Sequence, residues 1–432
     1  MSALLSPVHV TRSNFQQVAS MIRGQVRNFS KSESLARRIV SEVRRKGDRA
    51  VLTYTRRFDG VGLQHNHLRI SPDEIERSVE RVSDEVRSAL RVSLSRLEAV
   101  QKQLVERISY SSARNGFVVR AAPKPLSSVG CYIPGGRAAY ASTMLMTAGL
   151  AKLAGVRRIV VCTPPDSRGM VNAAILAAAR LCGVHEVYRI GGAQAIAALA
   201  YGTRTIPRVE KIVGPGGFYV ALAKKIVSGD VAIDFFAGPT ELIVVADERT
   251  DPKIAAWDLI AQAEHGEDTV CGLVTWSEDT AEKVRAEITR LVPRVSRRNF
   301  VVASLRQGFS AICSDRESAC AFVNAFAPEH LELLVDGAGE VAEMIQAAGL
   351  TLLGSYAPCA ASDYCVGTSH VLPTGGFASV RGGLSILDFV KLVWTVEGSR
   401  EGLQSVLKPL RVLASSEGLR NHYLSAESRF GK

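Results

Sequence analysis

Apolar residues recur every three or four positions through Ser32–Ser109, punctuated by Gly47 and Pro72, and this pattern predicts two or three amphipathic helices. After Pro123 the period changes. Short β-branched runs at Arg158–Cys162, Glu186–Ile190 and Val209–Val213 alternate with Ala-rich helical stretches at Asn172–Cys182, Gln194–Tyr201 and Phe218–Val227. Strands separated by helices of that length predict a parallel sheet with right-handed crossovers. The alternation then repeats. Leu242–Ala246, Cys271–Trp276, Phe300–Ala303, Leu331–Val335 and Thr351–Leu353 read as strands, and helices are expected near Pro252–His265, Asp279–Leu291, Arg316–Ala327 and Glu340–Ala348. The last stretch, Leu384–Lys432, turns polar and helical, as a tail that docks elsewhere would be.

The expected fold class is α/β, with two tandem Rossmann-like parallel-sheet units, an α-helical N-terminal segment and a helical C-terminal tail. The expected boundaries are a helical segment over residues 1–128 that packs on the second unit, a first unit over 129–241, a second unit over 242–383 and a tail over 384–432.

Composition narrows the class. Of 432 residues, 47% are hydrophobic and 22% charged, which suits a globular chain of two or three domains and excludes a disordered or collagen-like one. No apolar run reaches the roughly 18 residues a membrane span needs. Met1–Arg12 has neither an apolar h-region nor a small-residue cleavage site, so a cytoplasmic location is expected. The eight cysteines are dispersed without a C-x-x-C pair and read as reduced thiols. A net charge of +11 admits a nucleic-acid partner, but the basic segments Arg37–Arg49 and Arg87–Arg107 are interleaved with Glu and Asp at helical spacing. They read as solvated helix faces, and neither a nucleic-acid nor a membrane partner is expected.

The candidate chemistry is scattered. The dinucleotide fingerprint G-x-G-x-x-G is absent, while Gly135-Gly136, Gly191-Gly192 and Gly214-Pro-Gly-Gly217 flank predicted strands, as tight turns or as places where backbone approaches a phosphate. The helix beginning at Pro252 has Asp251 as its cap and places Asp258, Gln262 and His265 on one polar stripe at i, i+4 and i+7. That stripe faces water or a site. Glu329-His330 stands at a helix-to-strand junction, where a carboxylate and an imidazole could divide base and water-activating roles or lie on the surface. Asp363 and His370 lie in a long loop too apolar for disorder, and Glu417 and His422 stand five apart near the end. His265, Asp363 and His422 offer zinc-type donors, but spacing alone does not assemble them.

Taken in order, these segments resemble the histidinol dehydrogenase family from about Ser32 to His422. The strongest match is Ile233-Asp-Phe-Phe-Ala-Gly-Pro-Thr-Glu241 continuing through Ala255-Ala-Trp-Asp-Leu-Ile-Ala-Gln-Ala-Glu-His265. Others are Tyr132-Ile-Pro-Gly-Gly136, Gly191-Gly-Ala-Gln-Ala-Ile-Ala-Ala-Leu199, Pro328-Glu-His330, Ser369-His-Val-Leu-Pro373 and Glu417-Gly-Leu-Arg-Asn-His422. The resemblance implies oxidation of L-histidinol to L-histidine through L-histidinal, with two NAD consumed and one zinc ion per subunit. It implies zinc held by Gln262, His265, Asp363 and His422, His330 as general base, and Glu329 as the group that activates water. Thr240 and Glu417 match substrate-contacting positions, as do His330 and the zinc set, and Tyr132 and Gln194 match cofactor contacts. It further implies a homodimer whose C-terminal tail reaches the neighbouring site.

The chain departs from the family pattern at Gly217, where Asn is usual, and at Cys359, Ser362 and Ser369. These departures bear on cofactor affinity and loop geometry, and they keep open a paralogous zinc and NAD dehydrogenase of the same fold acting on another polyhydroxy or sulfonated alcohol.

Overall fold

The computed structural model describes residues 4–26, 30–135, 139–235 and 238–431, and every statement of absence below refers to these. Along the chain the strands are β1 (Ser6–Val10), β2 (Tyr110–Arg114), β3 (Phe117–Pro125), β4 (Ser128–Tyr132), β5 (Arg158–Thr163), β6 (Glu186–Arg189) and β7 (Lys211–Val213). They continue with β8 (Ala232–Ile233), β9 (Glu241–Ala246), β10 (Val270–Thr275), β11 (Phe309–Cys313), β12 (His330–Leu334), β13 (Leu350–Leu353) and β14 (Val390–Gly398). One parallel sheet has the order β6-β5-β4-β7-β8, and a second has β1-β11-β10-β9-β12-β13. The α/β class with two parallel-sheet units is thus the observed one. In β9, β10 and β12 every residue is buried, because helices cover both faces of the sheet and leave no polar side to alternate with.

The N-terminal expectation is corrected. Helices Ser30–Lys46 and Asp48–Asp59 pack on helix Gly192–Tyr201, and Pro72–Glu80 packs on Ala173–Leu181, so they cover the first unit, not the second. The cause lies in side-chain size. Ala193 and Ala195–Ala200 are all buried, and helices this small on every side need a further layer, here supplied by Ile39, Val40 and Val43. β1 and helix Phe15–Val26 reach the second unit, the strand by pairing with β11, and helix Asp84–Arg107 touches it where Ser93 and Arg96 donate to the Tyr364 and Cys365 carbonyls. The basic faces are solvated as expected: Arg37, Lys46 and Arg87 pair with Glu33, Glu42 and Asp84 about one turn away.

Two further expectations change. Phe300–Ala303 is not a strand but part of helix Arg298–Gln307, whose Val301 and Leu305 are buried at i and i+4, and the strand follows at β11. A short apolar run fits either period, and here the helical pair decides it. The tail is also not wholly helical, since β14 pairs antiparallel with β3 and β3 with β2. Gly116, at φ +78°, joins β2 to β3 where a Cβ would lie 2.6 Å from Gly402 Cα, so the tail helix Arg400–Ser416 is seated directly on that turn. No described helix is long and apolar enough to cross a membrane. All eight cysteines are free thiols.

Candidate active site

A cavity of about 590 Å³ opens between the two units. The first unit turns the carboxyl ends of its strands toward it, through Tyr132, Gly192 and the turn Pro215–Gly217. That is where parallel sheets bind ligands. The second unit presents its amino ends instead, through Thr240 before β9 and Glu329-His330 at the start of β12.

The helix Pro252–Ala263 is built as its sequence demands, with the Asp251 side chain accepting from Lys253 N and Pro252 in the first turn. Its end carries Gln262 to the cavity, with His265 just beyond. Asp258, expected on the same stripe, turns away to the buried Glu332 of β12. Burial, and then Asp258, pushes Glu332 up to about 8, so the two acids hold a proton between them near neutral pH.

Glu329 is buried, and its Oε2 accepts from Thr240 Oγ1 at 2.5 Å and from Glu241 N at 2.7 Å. Thr240 Oγ1 in turn accepts from Gln262 Nε2 at 2.7 Å. With its nitrogen so engaged, Gln262 presents Oε1 on the other side, 3.6 Å from Cys359 Sγ. His330 is 2% exposed. Its Nδ1 lies 3.3 Å from the Glu241 carbonyl, which fixes the proton there, and its Nε2 faces Asp363 Oδ1 at 3.6 Å with no hydrogen-bond partner. Burial opposes a charged His330, but Cys359, Glu329 and Asp363 outweigh it and hold its pKa well above the usual imidazole value. Asp363 also resists burial. The imidazole of His330 beside it, with those of His370 and His265, holds its carboxyl below the ordinary range.

His370 is an anchor more than a free ligand, because Nε2 meets Thr143 Oγ1 at 2.8 Å and Nδ1 meets the Asp363 carbonyl at 2.9 Å. Tyr132 lines the cavity and its hydroxyl accepts from Gly192 N at 3.1 Å. Gln194, two residues on, is buried, is not among the lining residues, and leaves Oε1 unpartnered. Gly136, the second member of a glycine pair, lies outside the described residues. Glu417 and His422 are exposed and are not brought to the cavity by their own chain.

Sequence reasoning missed Glu241, a buried acid that accepts from Arg23 Nη1 at 2.9 Å and from Gly375 N at 2.9 Å, and whose backbone carbonyl orients His330. It also missed the Asp258–Glu332 pair. The signal was present in both cases: a carboxylate inside an otherwise apolar strand, Glu241-Leu-Ile-Val-Val-Ala246 or His330-Leu-Glu-Leu-Leu334, needs a partner to be there at all. His330, Cys359 and Asp363 place their ligand atoms within 4.8 Å of one another, a grouping able to hold a metal ion.

Comparison with known proteins bears on this geometry. A family model described as histidinol dehydrogenase matches residues 23–430. A histidinol dehydrogenase of Methanosarcina mazei is 42% identical over 394 residues, covering 91% of this chain and 90% of that protein. One from Methanothermobacter thermautotrophicus is 44% identical over 392 residues, covering 90% and 92%. The crystal structure of histidinol dehydrogenase from Elizabethkingia anophelis superposes with a TM-score of 0.91 at 32% identity, covering 100% of this chain and 98% of that one.

Proposed function

The chain belongs to the histidinol dehydrogenase family of NAD-dependent oxidoreductases, and from that premise we propose that it oxidises L-histidinol to L-histidine through L-histidinal, with His330 and Glu329 as the proton-handling residues. One observation carries the assignment of roles: Glu329, His330, Gln262, His265 and Asp363, distant in sequence, line one cavity with Tyr132 and the glycine turn of the first unit. The paralogue reading loses its support, since the curated relatives matching nine-tenths of the chain are named histidinol dehydrogenases.

His330 Nε2, with Nδ1 held at the Glu241 carbonyl, is the atom placed to take the substrate hydroxyl proton as hydride departs. Thr240 and Glu241 N both bond to Glu329 Oε2, which leaves Oε1 to take a proton from the water that adds to the aldehyde. Gln262 Oε1, a His265 nitrogen and the Asp363 carboxylate form a mixed oxygen and nitrogen donor set suited to an open zinc position. We assign the remaining position to His422 of the partner subunit, because His422 is exposed on the tail, and Glu417 beside it to the substrate ammonium. When bound, zinc orients the substrate's nitrogen donors and NAD accepts the hydride. Tyr132 and Gln194 are proposed on the NAD side, Tyr132 at the cavity wall and Gln194 as support beneath Gly192. The test is NADH formation by zinc-loaded protein from L-histidinol and NAD. Two NADH per histidine is the expected stoichiometry, and a folded, zinc-bound protein that forms none overturns the reading.

Gly217 gives a sharper prediction. It is the N-cap of helix Phe218–Val227, lines the cavity, has φ −61° and ψ 174°, and nothing lies within 4 Å of where its Cβ would stand. Gly217→Asn therefore fits without strain and places a side-chain amide at the cavity wall, able to hydrogen-bond the proposed cofactor. One added hydrogen bond of about 1 kcal/mol corresponds to roughly a fivefold lower KM for NAD with kcat unchanged, measurable from initial rates.

A further inference from the structure

Behind His330 and Asp363 of the cavity wall, and not itself part of the lining, lies a group that the proposed reaction leaves unused. Cys359 is 4% exposed, begins the short helix Cys359–Tyr364 that carries Asp363, and lies with Sγ 3.6 Å from Gln262 Oε1. Independently, the deeply buried His330 Nε2 has no hydrogen-bond partner among the described residues, although a buried nitrogen left unpaired is costly. It points toward Asp363 Oδ1 at 3.6 Å, and the ligand atoms of His330, Cys359 and Asp363 lie within 4.8 Å of one another. A thiolate, an imidazole and a carboxylate so placed select a thiophilic divalent cation.

We propose that Cys359, His330 and Asp363 form a second cation position, one that takes Cd2+ or excess Zn2+ and inhibits the enzyme by occupying His330 Nε2. The inhibition rests on the reading of His330 as the base. It shares Asp363 with the set assigned to the resident zinc, and Cys359 Sγ touches Gln262 Oε1 of that set, but the donors differ: oxygen and nitrogen at one, sulfur and nitrogen with the shared carboxylate oxygen at the other. Binding breaks the Cys359 S–H bond, releases that proton to solvent and forms a sulfur–metal bond, with no change of oxidation state. A proton on Nε2 leaves to solvent in the same way, and the Nε2 lone pair then binds the cation instead of a substrate proton.

The experiment titrates Cd2+ into metal-free and zinc-loaded protein, for the wild type, Cys359→Ser and Cys359→Ala. Ultraviolet thiolate-to-cadmium charge-transfer absorbance is followed alongside NADH formation. A band in the wild type that both variants lose is expected. Cadmium inhibition, taken relative to each variant's own uninhibited rate, should weaken about tenfold or more, the scale of loss when even an outer partner of a metal ligand is removed. No band in the wild type, or a band that persists in both variants, overturns the proposal. So does a band with undiminished turnover, which would place the thiolate on the resident ion. The absorbance arm needs no turnover, so a protein that binds cadmium through Cys359 yet makes no NADH from histidinol refutes the reaction and leaves the cation position standing.

Discussion

His330→Ala should lower turnover of L-histidinol by about 10²- to 10⁴-fold, the range a positioned general base contributes. The residue is buried, its Nδ1 is fixed by the Glu241 carbonyl and its Nε2 is free, so nothing else in the cavity offers an equally prepared nitrogen. His370 cannot replace it, since both its ring nitrogens are engaged by Thr143 and Asp363. Glu329→Gln should behave differently. The amide can still meet Thr240, but it cannot accept a proton from water, so oxidation of supplied L-histidinal should fall far more than the first hydride transfer. Single-turnover NADH bursts with each substrate separate the two roles. Equal losses in both half-reactions for both variants would refute the division of labour.

The largest effect on stability is expected at Lys224. Its side chain is 1% exposed, pairs with the buried Asp234, and donates from Nζ to the Gly214 carbonyl at 3.0 Å. Asp234 also accepts from Gly214 N at 2.8 Å and from Phe235 N at 2.6 Å. Lys224→Met leaves that carboxylate buried without its cation and should cost about 3–5 kcal/mol, read from denaturant unfolding. Adding Asp234→Asn removes the stranded charge and should recover much of the loss. The same pair clamps Gly214, at φ +114° and with its Cβ position 2.2 Å from the Tyr132 carbonyl oxygen, where no side chain is tolerated. The single variant should therefore raise KM for NAD as well as lower stability, because the turn through Gly217 hangs from that clamp.

How much of this was legible in the sequence depended on whether the signal was local. The strands at Arg158, Glu241 and Val270 stood out because parallel strands buried along all or nearly all of their length read as near-continuous apolar runs. The helix bearing Gln262 was framed by its own cap. The sheet formed by β2, β3 and β14 was not readable, because β3 and β14 lie far apart in sequence and neither alternates cleanly between buried and exposed positions. At the site, Glu329-His330 and Asp363 were visible as residue types, but their proximity is tertiary: the 3.6 Å between His330 and Asp363 joins the start of β12 to the short helix Cys359–Tyr364, where the sequence suggested only a loop. Their second layer, the Glu241 carbonyl and the Asp258–Glu332 pair, has no spacing signature.

The seat that Gly116 provides for Gly402 has a consequence at the level of the population of molecules. It joins the tail to the body through backbone contact and the β3–β14 pairing, so the tail is a stiff arm whose reach is set within one chain. In the dimer proposed above, that arm completes a neighbour's metal sphere, and mass action enters the chemistry. On that proposal, a protomer diluted away from its partner is expected to give up a ligand while its own cavity and base stay in place. Activity per molecule then becomes a function of how many copies share the solution.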